Sequence, residues 1–215
     1  MKLINNIQAK IESLYGIKLG EQAQDYLIET DELMSLIQVN QNTSIPKELF
    51  LVNPNPKDDT LEVALFFDPE LKKNLDANNP MESLSQKNIS DFCALIEGIS
   101  HFVYYIHKAS LSYNVTQLEL ELQAEIDKFL LLALLVEGQP VSYEVWLDML
   151  FADYYLNANL SAEQSERYVA ATMLARKYCF NLAQNIKTRD LKKLFAEIRK
   201  FYPLNQEEKI RVIMN

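Results

Sequence analysis

The chain has little glycine and little proline: 4 Gly and 7 Pro in 215 residues. Average usage would put Gly near 7% and Pro near 5%. Such a shortage excludes collagen-like and low-complexity chains. It also leaves few sites for special turns, which favours helices joined by short polar loops. The 48% hydrophobic content excludes a disordered chain, which could not bury enough apolar surface to offset its ordering entropy.

Long apolar runs are missing too. The longest, Phe129–Val136, has eight residues, and a membrane-spanning helix needs about 20. Met1–Gly16 lacks the basic start, apolar run and small-residue cleavage site of a secretory signal. No membrane partner is expected, and the chain reads as cytoplasmic. The two cysteines, Cys93 and Cys179, sit in apolar, helix-periodic surroundings. They fit free thiols of a reducing compartment rather than a disulfide framework.

Histidine is scarcer still, with only His101 and His107. Gly98 stands three residues before His101, and Tyr104 three before His107, so neither completes the Glu-x-x-His element of a di-iron bundle. Cys93 and His107 share a helix face but lie about 21 Å apart at 1.5 Å per residue, too far for one zinc ion. No His-Glu-x-x-His, phosphate-binding loop, Gly-x-Gly-x-x-Gly or Gly-x-Ser-x-Gly occurs. No cofactor and no metal is assigned on these grounds, and the reading leans away from an enzyme.

Basic residues are short overall: 21 Lys and Arg face 30 Asp and Glu, a formal charge of −9. An acidic chain neutralises phosphates poorly, so a nucleic-acid partner is not expected. The imbalance is uneven. Residues 187–215 hold eight basic against four acidic residues. That segment suits docking on an acidic partner or on the body of its own protein.

What is present is mostly helical patterning. Leu3, Ile4, Ile7, Ile11 and Leu14 have helix spacing, with Gly16 as the stop. A short helix is expected near Glu21–Glu29. Residues 48–52 and 61–67 are short, branched and aromatic, and Asn53–Asp59 between them is dense in turn formers. That pattern predicts a β-hairpin, with Leu33–Val39 as a possible third strand. Asp68-Pro69 starts a short helix. From about residue 88 the chain reads as wholly helical. Capping boxes stand at Thr116–Glu119 and Ser161–Gln164, caps at Ser142 and Asn205, and stops at Gly138, Pro140 and Pro203. The expected fold class is mostly α (α+β): a bundle of five to six C-terminal helices with a small N-terminal hairpin or three-stranded antiparallel sheet. Residues 1–80 and 88–215 are expected to form one compact unit.

Three helices carry the chemistry-bearing residues. In Ser90–Ala109, Phe92, Leu95, Ile96, Ile99, Phe102, Val103 and Ile106 make an unbroken apolar stripe. Glu97, His101, Tyr104 and Lys108 lie opposite it. Glu97 and His101, four apart, are spaced to share a proton or a metal, but a stripe facing away from the core reads as an exposed ion pair. His107 falls at the stripe's edge and reads as a hydrogen-bonded boundary residue.

Thr116–Glu137 is apolar on two sides: Leu118, Leu122, Ile126, Phe129, Ala133 and Val136 on one, Leu120, Ala124, Leu131 and Leu135 on the other. A helix apolar on two faces is packed on two sides, so this one is expected at the centre of the bundle. Its acids Glu121, Glu125 and Asp127 are then squeezed between buried faces. Each needs a cation or several donors, or a raised pKa. Lys128 is the local partner. Ala162–Ile186 is likewise apolar on two sides, Val169, Met173, Phe180 and Ala183 on one and Ala171, Ala175, Tyr178 and Leu182 on the other. Arg176 projects from the first, between Val169 and Phe180, and a meeting with Glu125 or Asp127 is predicted, because its fork fits a carboxylate. The aromatic run Tyr143, Trp146, Phe151, Tyr154 and Tyr155 reads as core, with Asp153 close to its apolar face.

The leading functional expectation is a non-enzymatic module that binds a protein partner or itself. Asp190–Tyr202, basic at Lys192, Lys193, Arg199 and Lys200, is its docking helix. The alternative is a small-ligand or metal-binding protein, or an enzyme, that uses a partly buried carboxylate–Arg cluster of Glu121, Glu125, Asp127 and Arg176.

Overall fold

The computed structural model describes residues 2–37, 45–55, 60–135, 143–151 and 161–215. Helix α1 (Lys2–Tyr15) buries the stripe Ile4, Ile7, Ile11 and Leu14. It stops at Gly16, which adopts φ +67°, and the Ile17 amide reaches back to the Glu12 carbonyl at 3.0 Å. That closure needs a left-handed residue, which glycine adopts without penalty.

The next segment departs from expectation. Glu21–Glu29 holds one 3-10 turn, Ala23–Tyr26, followed by strand β1 (Leu27–Ile28). Of Leu33–Val39, expected as a third strand, Leu33–Leu36 belong to helix α2 (Thr30–Leu36); Gln38 and Val39 lie outside the described residues. β2 (Glu48–Asn55) and β3 (Thr60–Phe67) form the predicted antiparallel hairpin, in register from Glu48↔Phe67 to Asn55↔Thr60. β1 pairs with β3 in parallel, so the sheet is mixed, in the order β1-β3-β2, and not antiparallel. Long-range packing decided the exchange. Leu33 gains more by sitting on Ile28 and Phe66 in a small second core than by its own strand propensity.

Helices α3 (Pro69–Ala77), α4 (Ile89–Ser110), α5 (Gln117–Leu135), α6 (Tyr143–Phe151), α7 (Ala162–Lys187), α8 (Leu191–Phe201) and α9 (Gln206–Met214) complete the chain. The described residues thus hold nine α-helices rather than five to six. The boxes at Thr116–Glu119, Ser161–Gln164 and Asn205–Glu208 all form. The signals read at Gly138, Pro140 and Ser142, and at Asp153, Tyr154 and Tyr155, lie outside the described residues. Trp146 and Phe151 are buried in the core, as expected.

α5 is walled in, with every residue from Glu121 to Leu132 buried. It packs between α4 and α7. Two expectations fail around it. The Glu97–Lys108 stripe of α4 does not face water: His101, Tyr104 and Lys108 are buried, because α5 lies across that face. On α7 the side that packs is Ala171, Ala175, Tyr178 and Leu182. Met173 and Phe180, assigned to an apolar core side, are 67% and 61% exposed. The alanines let the backbones of α5 and α7 approach, and bulky residues on the far side are left outside.

α8 and α9 are parts of the core, not appendages. Leu194, Ile198, Phe201, Tyr202 and Ile213 are buried in the same cluster as Ile4. Arg199 donates to the Leu14 and Ser13 carbonyls at 3.0 Å each, where a cation suits a helix C-terminus. Among the described residues, no helix is long and apolar enough to cross a membrane.

Candidate functional site

Two polar clusters occupy the two flanks of the α4–α5 seam. The first is built at the start of β2, on α4, on α5 and on α7. Glu97 and His101 stand one turn apart on α4, and Glu121 and Glu125 one turn apart on α5. One ligand atom each from Glu97, His101 and Glu121 lies within 4.8 Å of the other two. His101 Nε2 is 3.5 Å from a Glu121 oxygen and has no hydrogen-bond partner, although the residue is only 7% exposed. Lys128 bridges Glu97 at 2.9 Å and Glu125 at 2.8 Å. Tyr168 of α7 stands against Glu121.

Glu48, the first residue of β2, closes the cluster from the sheet side. Its Oε2 is buried and unpartnered. It reaches this position through Gly98, where a Cβ would lie 2.9 Å from Glu48 Oε2 and 2.8 Å from a Phe67 ring carbon. Any side chain at 98 would have to push aside the Glu48 carboxyl and the Phe67 ring. An isolated glycine inside a strongly helical pattern has such a packing reason here.

The electrostatics follow from crowding acids away from water. Burial raises the Glu48 carboxyl to about 8, with Glu97 and Glu121 adding to the push and His101 and Lys128 opposing it. Burial alone would lower His101, but Glu121, Glu48 and Glu97 outweigh it and hold the imidazole at about 9. Burial works to raise Glu97, yet Lys128 and His101 prevail and keep it below its ordinary value. Glu125 is raised by burial despite Lys128. Burial would lower Lys128, but Glu125 and Glu97 hold it well above its ordinary value. Burial pushes the Cys93 thiol, one turn before Glu97, up to about 12. Four acids thus surround Lys128 and His101, and Glu48, raised to about 8, keeps its proton at neutral pH.

The second cluster, on the opposite flank, is self-satisfied. Asp127 accepts from Tyr15, from Ser100 at 2.5 Å and from Gln123 at 3.0 Å. Gln123 also donates to the Tyr15 hydroxyl at 2.8 Å and accepts from Lys209 of α9 at 2.8 Å. Burial lifts Asp127 to about 6, with the three donors opposing. Lys209 is fully buried, and its ammonium rests 4.3 Å from the Tyr104 ring centre. Burial lowers it to about 7, against the pull of Glu119 and Asp127. Glu119 is met by Tyr104 at 3.1 Å and Lys108 at 3.8 Å. Lys108 in turn donates to the Pro203 and Leu204 carbonyls at 2.8 and 3.1 Å.

The proposed grouping of Glu121, Glu125, Asp127 and Arg176 therefore divides. Glu121 and Glu125 share the first cluster. Asp127, on another face of α5, belongs to the second. Arg176 is exposed and meets neither Glu125 nor Asp127; it lines a surface groove with Leu147, Asp148, Met173, Lys177 and Phe180. The side of α7 that carries it faces outward, and Lys128 already supplies the cation for Glu125. Glu97 and His101, read as an exposed pair, are the α4 half of the first cluster. His107 stays at the periphery, its ring 5.6 Å from Tyr202; burial and then Lys108 lower it. Glu48, Tyr168 and Lys209 were not foreseen. The one sequence signal for the first cluster was the i, i+4 spacing Glu97–His101 beside a second acidic pair at Glu121–Glu125.

Comparison with protein-family models, with curated proteins and with solved structures finds no match for this chain.

Proposed function

We propose that the chain is a metal-binding protein that holds one divalent transition-metal ion between α4 and α5, on Glu97, His101 and Glu121. The observation that carries this reading is the convergence of three ligand atoms within 4.8 Å, one of them a buried imidazole nitrogen that makes no hydrogen bond and lies 3.5 Å from a Glu121 oxygen. Held at about 9, that imidazole carries a proton at neutral pH, which an incoming ion would displace. Two carboxylates and one imidazole suit Mn²⁺, Fe²⁺ or Zn²⁺ better than a soft, thiolate-seeking ion. A divalent ion also offsets the excess of carboxylates over Lys128. Bound there, it would polarise an oxygen ligand as a Lewis acid.

The test is titration of chelator-treated protein with Mn²⁺, Fe²⁺ under anaerobic conditions, and Zn²⁺, followed by elemental analysis after dialysis. One equivalent is expected for at least one ion. At a hundredfold excess over Kd it should add about 2.7 kcal/mol to the stability. Glu121→Gln and His101→Gln should each abolish retention. No retained ion and no change in melting temperature would overturn the reading.

A second reading, self-association of an interaction module, is supported by the exposed Met173 and Phe180 on α7 and by the groove they share with Leu147. An apolar face of this kind marks contact surfaces more often than bare water does. Light scattering should then report a dimer that Phe180→Glu converts to a monomer. A wild-type monomer at all accessible concentrations would dismiss it.

A further inference from the structure

Resting on the metal-site reading above, we infer that Glu48 is the fourth protein ligand, so that ion binding clamps the β2–β3 hairpin onto the α4–α5 pair. Glu97, His101 and Glu121 all come from helices, and three ligands leave a coordination sphere open. Glu48 is the carboxylate that the sheet contributes. Its Oε2 is buried with no hydrogen-bond partner. A buried carboxyl oxygen without a partner is costly, and a cation would satisfy it once the carboxyl gives up its proton. Its path to the helix pair runs over Gly98, where a Cβ would lie 2.9 Å from that oxygen. Gly98 follows Glu97 on α4, which sets Glu48 beside the α4 half of the triad. Glu48 is not among the residues whose ligand atoms all lie within 4.8 Å of one another, so its carboxyl would have to move to join the ion.

Placement makes the ligand a mechanical link. Glu48 pairs with Phe67 in the β2–β3 register, and Phe67 also presses on Gly98. A bond from Glu48 to the ion would therefore tie the open end of the hairpin to α4 through a second anchor beside Phe67. Hinge-like opening of the sheet away from the helices would then require the ion to lose a ligand.

Two measurements test this on the full chain, with whichever of Mn²⁺, Fe²⁺ or Zn²⁺ is retained. In calorimetric titration, Glu48→Gln should weaken binding at least about tenfold, the lower end of what even outer-shell changes cost a metal site. Glu48→Asp, which keeps the charge but retracts it by one methylene, should weaken it in the same direction. It serves if the Gln variant fails to fold. In hydrogen exchange, the ion should slow the amides of Glu48–Asn55 and Thr60–Phe67 in wild type and not in Glu48→Gln. Wild-type affinity in both variants, with hairpin exchange indifferent to the ion, would overturn the role of Glu48 and leave the triad standing. No binding by wild type would remove both.

Discussion

Replacing Lys128 by methionine is expected to lower the unfolding free energy at neutral pH by about 3–5 kcal/mol, the usual cost of removing one partner from a buried ion pair. Methionine keeps most of the stem volume, so packing changes little and charge changes most. The ammonium bridges Glu97 and Glu125 at 2.9 and 2.8 Å, and its removal leaves two enclosed carboxylates facing each other, with Glu48 and Glu121 behind them. The pH dependence has a definite sign. Without Lys128, burial raises Glu97 and Glu125 above their unfolded values, so the folded state binds more protons than the unfolded state. Stability is then retained below about pH 4.3, the unfolded glutamate value, and is lost as pH rises through the higher folded values. In wild type, Lys128 is held above its ordinary value, so its contribution is complete at any pH below about 10.4. Urea unfolding at pH 5 and pH 7 measures the difference. A penalty under 1 kcal/mol, or one that does not shrink at pH 5, would show that the pair is solvated and that the cluster is not the enclosed acidic site described above.

Removing residues 187–215 is expected to abolish cooperative unfolding altogether. On sequence, the basic helix Asp190–Tyr202 read as a docking element. Its basic face is indeed outward at Lys192, Lys193 and Lys200. The other face is core. Leu194, Ile198, Phe201, Tyr202 and Ile213 are buried, and at about 1.5–3 kcal/mol each they rival the 5–15 kcal/mol stability of a typical domain. Their loss would also uncover Tyr15, stacked 3.8 Å from Tyr202, and strip Lys209 from Gln123. Circular dichroism during heating should show a truncated chain without a sharp transition. A truncated chain that melts as sharply as the full one would restore the docking reading of the tail.

The sequence disclosed helices wherever apolar spacing and a capping side chain agreed. α1, α4, α5 and α7 were legible for that reason, as were the boxes at Thr116, Ser161 and Asn205. Periodicity also showed that α5 was enclosed, and so that its acids needed partners. What it could not disclose was which polar stripe would meet which. Glu97–His101–Tyr104–Lys108 has the spacing of a solvated face; it is buried only because α5 presents matching charges across it. Arg176 failed for the mirror reason: Val169, Met173 and Phe180 looked like a core face, yet the alanine side of α7 permitted the closer approach and won. β1 exchanged roles with the segment after it because pairing with β3 is a long-range gain, invisible in a local window. Glu48 carried no signal at all, since only the tertiary fold brings the start of a strand over Gly98.

The junction of α1 with α8 also sets a timetable. Arg199 closes on the Ser13 and Leu14 carbonyls across 186 and 185 positions of sequence. At ribosomal rates of about 5–20 residues per second, those carbonyls and the Tyr15 ring wait roughly 10–40 s after synthesis for their lid. During that interval the nascent chain carries an unroofed tyrosine and a half-finished helix end, a surface suited to chaperone capture. Helices α8 and α9 are those that release it.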